Sequence, residues 1–180
     1  GASHYTYAEA SWNEMLPDWI GAHVRTFEFF GGAPALIGSD NVKSAVMRAC
    51  FHEPGVNRSS TDLARHYHTA ILPAGPCKPK DKSKAEGGVL LVQRWIVARL
   101  RDRAFFSLEE LNAAVREDLT RLKARVSRHL GASRQRLFEQ LDKPALIPLP
   151  PTRHVHADWR SVTVGADYHI RIPDHYCSVP

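Results

Sequence analysis

Leu16, Ile20, Val24 and Phe27 recur at intervals of four, four and three residues, and Gly31-Gly32 stops that pattern just before the apolar run Pro34-Ala35-Leu36-Ile37. An apolar stripe at this spacing is one face of a helix. The glycines supply a left-handed C-cap, and the short run beyond them reads as a buried strand. Ser11 with Glu14 has the form of a capping box, and Pro17 is tolerated in a first helical turn. Residues 3–10 alternate aromatic and polar side chains and read as a strand. Thr61-Asp62 opens a short helix with Leu63 and Tyr67 on one side, and Ile71-Leu72 is a brief strand stopped by Pro73. Strands alternating with helices predict an α/β layer architecture.

The second half of the chain changes character. Residues 73–84, with three prolines and four lysines, read as a loop. Val89, Val92, Ile96 and Leu100 then mark the apolar face of a helix starting near Ser83. Ser107 with Glu110 is a second capping box, for a helix through about Arg128, and a shorter helix follows near Ser133–Leu141. Pro144, Pro148, Pro150 and Pro151 form a linker. Alternating runs around 154–164, 168–172 and 176–179 predict three short strands of a small β module. This gives three units: a core over 1–104, a helical extension over 105–143, and a linker with a truncated β-barrel over 144–180.

With 43% hydrophobic and 24% charged residues, the chain has the composition of a globular protein rather than of a disordered or fibrous one. No run approaches the ~18 apolar residues of a membrane span, and no segment reads as a signal peptide. Three cysteines without paired spacing predict a reducing compartment, with no disulfide framework and no zinc site. The start at Gly1, with no domain boundary before Ser11, predicts that the sequence is part of a longer protein. Charge is divided unevenly. Residues 1–77 carry a net −2, residues 78–136 a net +8, and residues 137–180 a net −1. A basic excess confined to the middle suits a polyanionic partner; its plainer reading is a solvated arginine-rich surface.

Two carboxylates stand out. Asp40 follows an apolar strand, at the sheet edge where open α/β folds place ligand-binding groups, and Ser39-Asp40-Asn41 is also good turn chemistry. Glu86 falls early in a helix behind the lysine-rich stretch, where the helix dipole favours an acid. Together they fit phosphoryl transfer by paired metal ions, which needs carboxylates converging from different elements, with lysines holding a substrate backbone by charge. His66-x-His68 and His154-x-His156 lack a third ligand at suitable spacing, Cys77 has no partner histidine, and no glycine-rich phosphate loop occurs. The basic stretch Arg121, Lys123, Arg125 and Arg128 suits DNA phosphates or simply solvent.

The ordered set Gly38-Ser39-Asp40-Asn41-Val42-Lys43-Ser44-Ala45-Val46, the helix at 61–70, Leu72-Pro73-Ala74 and Lys78-Pro79-Lys80-Asp81-Lys82-Ser83-Lys84-Ala85-Glu86 resembles the catalytic core of Asp-Asp-Glu transposases. It is most similar to the IstA-type transposases of insertion sequences, relatives of retroviral integrases. The likeness extends over Gly1–Tyr7, Phe105–Asn112 and the closing Asp167-Tyr168-His169 and His175–Pro180. The resemblance implies a partial ribonuclease-H-like core of strands three to five with flanking helices, then helices and the start of a small β-barrel. It implies DNA cleavage and strand transfer with Mg²⁺, or Mn²⁺ as substitute, held by Asp40 and Glu86. Asn41, Lys43, Lys78, Lys80, Lys82 and Lys84 would contact DNA.

The implied partners are transposon ends, target DNA, an IstB-type ATPase and further copies on DNA, in a cytoplasmic, nucleoid-associated setting with no membrane. The sequence departs from the pattern at Gly87-Gly88, where helix formers are expected. It also lacks a convincing first triad carboxylate, since Glu9 ends the third strand of the resemblance. The chain alone is therefore expected to be inactive, with a gap or substitute pairing beside the strand at 3–10. The alternative is a non-catalytic DNA-binding or assembly module.

Overall fold

A left-handed residue ends α1 (Leu16–Phe30) where the paired glycines stand: Gly31 has φ 71°, its N–H donates to the Glu28 carbonyl at 3.2 Å, and that of Gly32 to Phe27 at 3.1 Å. The helix does not start from the expected capping box. Its N-cap is Met15, whose N–H is taken by Asn13 Oδ1 at 2.9 Å, while Ser11 Oγ donates to the Asn13 carbonyl. Pro17 in the first turn removes one N–H that a cap would otherwise have to satisfy. The computed structural model describes residues 2–39, 58–73, 79–126, 131–157, 162–164, 168–172 and 175–178, with backbone alone at 39, 73, 79–85 and 171–172.

The predicted stripe of α1 is buried. Ile20, Val24 and Phe27 meet Ala33, Ile37, Leu63 and Tyr67, with Leu16, Trp19, Ile71 and Leu149 packed around them. Each large side chain removed from water contributes about 1.5–3 kcal/mol. The strands β1 (Leu36–Ser39) and β2 (Ala70–Pro73) pair in parallel, Leu36 opposite Ala70 and Ser39 opposite Pro73. Between them in sequence, α2 (Arg58–His66) starts three residues before the expected Thr61. Ile37 and Ile71 turn into the core; Leu36 and Leu72 are 54% and 57% exposed on the opposite face.

Residues 3–10, with a left-handed backbone at His4 (φ 52°), join no sheet among the described residues. Side chains satisfy their backbone instead. Asp142 accepts from the N–H groups of Ala2 and Ser3 at 2.9 and 3.1 Å, and Asn112 bonds both polar groups of Ala10. Tyr5 stacks on Phe138 with ring centroids 4.3 Å apart.

The lysine-rich stretch corrects the expected loop. α3 (Pro79–Val92) begins four residues before Ser83, because proline suits a first helical position and Lys80, Lys82, Lys84, Ala85 and Glu86 after it are good helix formers. The helix continues through Gly87-Gly88 into a π-helical turn (Gln93–Val97) and α4 (Ala98–Leu100). The wider turn rotates the face that follows it. Ile96 and Leu100 are buried, Val92 is half-buried, and Val89, expected on the same face, is 55% exposed.

α5 (Leu108–Ala124) is capped as expected: Ser107 Oγ accepts from the Glu110 N–H at 3.1 Å, and the Glu110 carboxylate from the Phe106 N–H at 3.0 Å. Its Ala114, Val115 and Leu119 form a second core with Ile96 and Leu100. The helix ends at Ala124, short of Arg128, since Val126 turns to bridge Ser133. α6 (Arg134–Leu137) runs into a π-helical turn at Phe138–Asp142.

The proline segment is docked, with Ala33 and Ile147 exchanging N–H···O bonds of 2.9 and 2.8 Å. The antiparallel pair β3 (His169–Ile172) and β4 (His175–Ser178) forms two of the three late strands expected. No strand occurs among the described residues of 154–164. That stretch lies against α2 and its flank, through Ser59 Oγ to the Ala157 carbonyl and the His154 N–H to Tyr67 Oη.

Candidate catalytic edge and nucleic-acid interface

Parallel strands end together at Ser39 and Pro73, which makes this the carboxyl edge of the small sheet. Asp40 follows directly. Asp40, Asn41, Lys43 and Lys78 lie outside the described residues. Glu86 lies two turns into α3, exposed, and among the described residues it carries no ion pair. Lys80, Lys82 and Lys84 belong to the same helix rather than to a loop, position 82 standing one turn before Glu86. A helix holds these positions at fixed spacing, which a proline-rich loop would not.

The one carboxylate of the opening segment is fully engaged. Arg25 Nε donates to Glu9 Oε2 at 2.7 Å and an Arg25 terminal nitrogen to Oε1 at 2.6 Å, while Tyr7 Oη donates to Oε2 at 2.5 Å. Burial pushes Glu9 upward, but the hydrogen bonds from Arg25 and Tyr7 and the arginine charge outweigh it and hold the carboxyl below its ordinary range. Burial, with the bond to Glu9, drives the Tyr7 phenol up to about 12. Glu9 is thus a structural acid that ties residues 3–10 to α1.

The basic middle is partly neutralised from within. Arg99 and Arg121 pair with Asp118 at 3.4 and 3.2 Å, Arg121 also with Glu117, and Arg101 with Asp102 at 3.3 Å. Lys123 lies over the Phe29 ring at 4.5 Å, and burial lowers its proton affinity. Arg125 covers Trp95 at 3.9 Å. The stretch Arg121–Arg125 is therefore not a uniform solvated stripe, and Arg128 lies outside the described residues. The positioning roles of Arg25, Asn112 and Asp142 carry no signal in local sequence, since their partners are 16 to 140 residues away.

Among the described residues no group of three or more His, Cys, Asp or Glu side chains could hold a metal ion, and no helix is long and apolar enough to cross a membrane. His66 Nε2 bonds the Thr152 carbonyl at 2.9 Å, and its ring stands 5.3 Å from that of His154. A cavity of about 330 Å³ lies beside residues 8–10, lined mainly by Val92, Ile96, Leu100, Phe105 and Leu111 of the second core. Its lining offers no catalytic constellation.

No protein-family model matches the chain. It is 52% identical over 181 residues to “Putative transposase y4uI” of Sinorhizobium fredii and 45% identical over 180 residues to “Putative transposase for insertion sequence IS408” of Burkholderia multivorans. Each match covers all of this chain and 35% of the relative, so the chain spans about a third of the length of these curated relatives. The catalytic core domain of BIV integrase superposes with a TM-score of 0.57 at 13% identity, covering 79% of this chain and 82% of that one. The chain therefore has the fold of an integrase catalytic core, the α/β class expected.

Proposed function

We propose that this chain is a catalytic-core portion of an IstA-type DNA transposase, which cuts the ends of an insertion sequence and joins them to target DNA. The observation that carries the proposal is 52% identity, over the length of this chain, to a relative named “Putative transposase y4uI”, in a chain with an integrase-core fold.

In this reading Asp40 and Glu86 hold Mg²⁺, or Mn²⁺ in its place. The exposed Glu86 carboxylate, without an ion pair among the described residues, is a hard oxygen donor of the kind Mg²⁺ selects. When bound, the ions supply activation of an attacking oxygen and stabilisation of the leaving one. Lys78, Lys80, Lys82 and Lys84, with Asn41 and Lys43, position the DNA backbone by charge. Arg25 and Tyr7 withhold Glu9 from the metal. The first carboxylate of the triad then belongs to the length of the relatives that this chain does not span, and the 180-residue chain alone is inactive. An IstB-type ATPase and further copies assembled on DNA are the proposed partners, in the cytoplasm beside the nucleoid.

The test is strand joining by the whole transposase containing this chain, with labelled element ends and Mg²⁺ or Mn²⁺. Asp40→Asn and Glu86→Gln should each abolish joining while leaving DNA binding intact. Joining that survives either substitution overturns the metal assignment. Joining by the isolated chain, dependent on Glu86, would instead show that the missing carboxylate lies within it.

A further inference from the structure

Among the described residues, six arginines lie within 4 Å of a carboxylate: Arg25, Arg65, Arg99, Arg101, Arg121 and Arg153. Arg125 and Arg134 are among those that are not matched to an acid there. An isolated antiparallel bridge between Val126 and Ser133 brings together their chain neighbours, Arg125 at the C-cap of α5 and Arg134 at the start of α6. Like charges held in one place repel. Nothing in the local sequence demands this, because eight residues separate the two arginines.

Three further observations concern what would offset the repulsion. The Arg134 Nε–H is buried and finds no acceptor among the described residues. A buried donor left unpaired is costly, more so on a charged group. The Arg125 guanidinium lies 3.9 Å over the Trp95 ring, which fixes the plane of its donor fork without using its hydrogens. Burial, and after it the charge of Arg125, lower the proton affinity of Arg134, as expected for two cations held close without an anion.

We propose that Arg125 and Arg134 form a phosphate-binding site, braced by Trp95, that takes one backbone phosphodiester of DNA away from the Asp40–Glu86 edge. A guanidinium fork matches a pair of oxygens. The two non-bridging oxygens of a phosphodiester carry enough lone pairs to accept from both guanidinia. The flanking segment 78–136, with its net +8, favours a polyanion over an isolated anion. The choice of DNA over free phosphate rests on the transposase reading; the site itself does not.

The experiment is a fluorescence-anisotropy titration of the full 180-residue chain with labelled duplex DNA of arbitrary sequence, between about 50 and 200 mM salt. Arg134→Gln and Arg125→Gln should each weaken binding and reduce the slope of log K against log salt by about one, and the double variant by about two. Arg65→Gln, which removes a charge already paired with Asp62, should leave the slope unchanged. Thermal melts provide the fold control: Arg134→Gln relieves a like-charge contact and should melt no lower than the parent chain.

A folded double variant that binds DNA with the parent slope overturns the proposal. So does competition at the site by polyglutamate with DNA slopes unaffected, which would assign the pair to an acidic protein. Inorganic phosphate that raises the melting temperature of the parent but not the double variant, again with equal DNA slopes, reduces it to a free-anion site and overturns the DNA assignment. A failure of strand joining with these binding results intact overturns the transposase reading alone.

Discussion

Asn112 holds Ala10 by both of its backbone polar groups: the Ala10 N–H donates to Oδ1 at 2.8 Å, and Nδ2 donates to the Ala10 carbonyl at 3.0 Å. One amide side chain, projecting from α5, thus does for an extended segment what a neighbouring strand does in a sheet. Together with Asp142 at the other end, it explains how residues 3–10 stay ordered without joining the two-stranded sheet.

Asn112→Ala removes both bonds and leaves two backbone groups to find other partners. Net hydrogen bonds contribute about 0.5–1.5 kcal/mol each, so a loss of about 1–3 kcal/mol is expected. Urea unfolding followed by circular dichroism measures it. An unchanged midpoint would mean that Asn112 holds a segment the fold does not depend on.

The glycines divide by geometry. A Cβ added at Gly87 or Gly88 meets nothing within 4 Å, so Gly87→Ala and Gly88→Ala should each stabilise α3 by about 0.5–1 kcal/mol. Gly31→Ala should destabilise by about 1–2 kcal/mol through its positive φ. Gly32→Ala is expected to be worse still, its Cβ falling 2.7 Å from that of Leu146 and 3.0 Å from the Ile147 carbonyl oxygen. Melting temperatures should fall into that order.

Acid should weaken the fold in two stages. Burial pushes the His23 imidazole down against the opposing effect of the Trp19 carbonyl, and burial with the charge of His66 pushes His154 down. Both are depressed, so below the unfolded value of about 6.5 the unfolded chain binds protons that the folded chain refuses. Stability is full above that pH and falls as pH drops towards the folded values. Glu9 and Asp142, both held low, add a second loss below about pH 4.3. Denaturant midpoints compared at about pH 7.5 and 5.5 should show the first stage, and His23→Gln with His154→Gln should flatten it.

Lys80→Glu with Lys82→Glu tests the lysine-bearing helix. Both positions lie on α3 ahead of Glu86, and reversing two charges near a DNA backbone should cut affinity at low salt and make the salt dependence shallower. The measurement is the same titration used for the arginine pair. Unchanged binding removes α3 from the interface.

The local elements were legible because short-range rules decide them. The four-four-three stripe of α1, the left-handed Gly31 and the Ser107–Glu110 cap are each complete within about three turns of chain or fewer. So were the apolar runs that became β1 and β2, and the expected α/β class is the fold observed. What the sequence could not decide is everything that depends on a distant partner. The strand pattern of residues 3–10 yielded to Asn112 and Asp142, more than 100 residues away. The lysine loop became helix because proline starts a helix as readily as it breaks one. The nearness of Arg125 to Arg134 follows from the bridge between Val126 and Ser133. Periodicity and caps act through neighbours in the chain; which side chains meet across the fold is settled only when burial and unpaired polar groups are satisfied together.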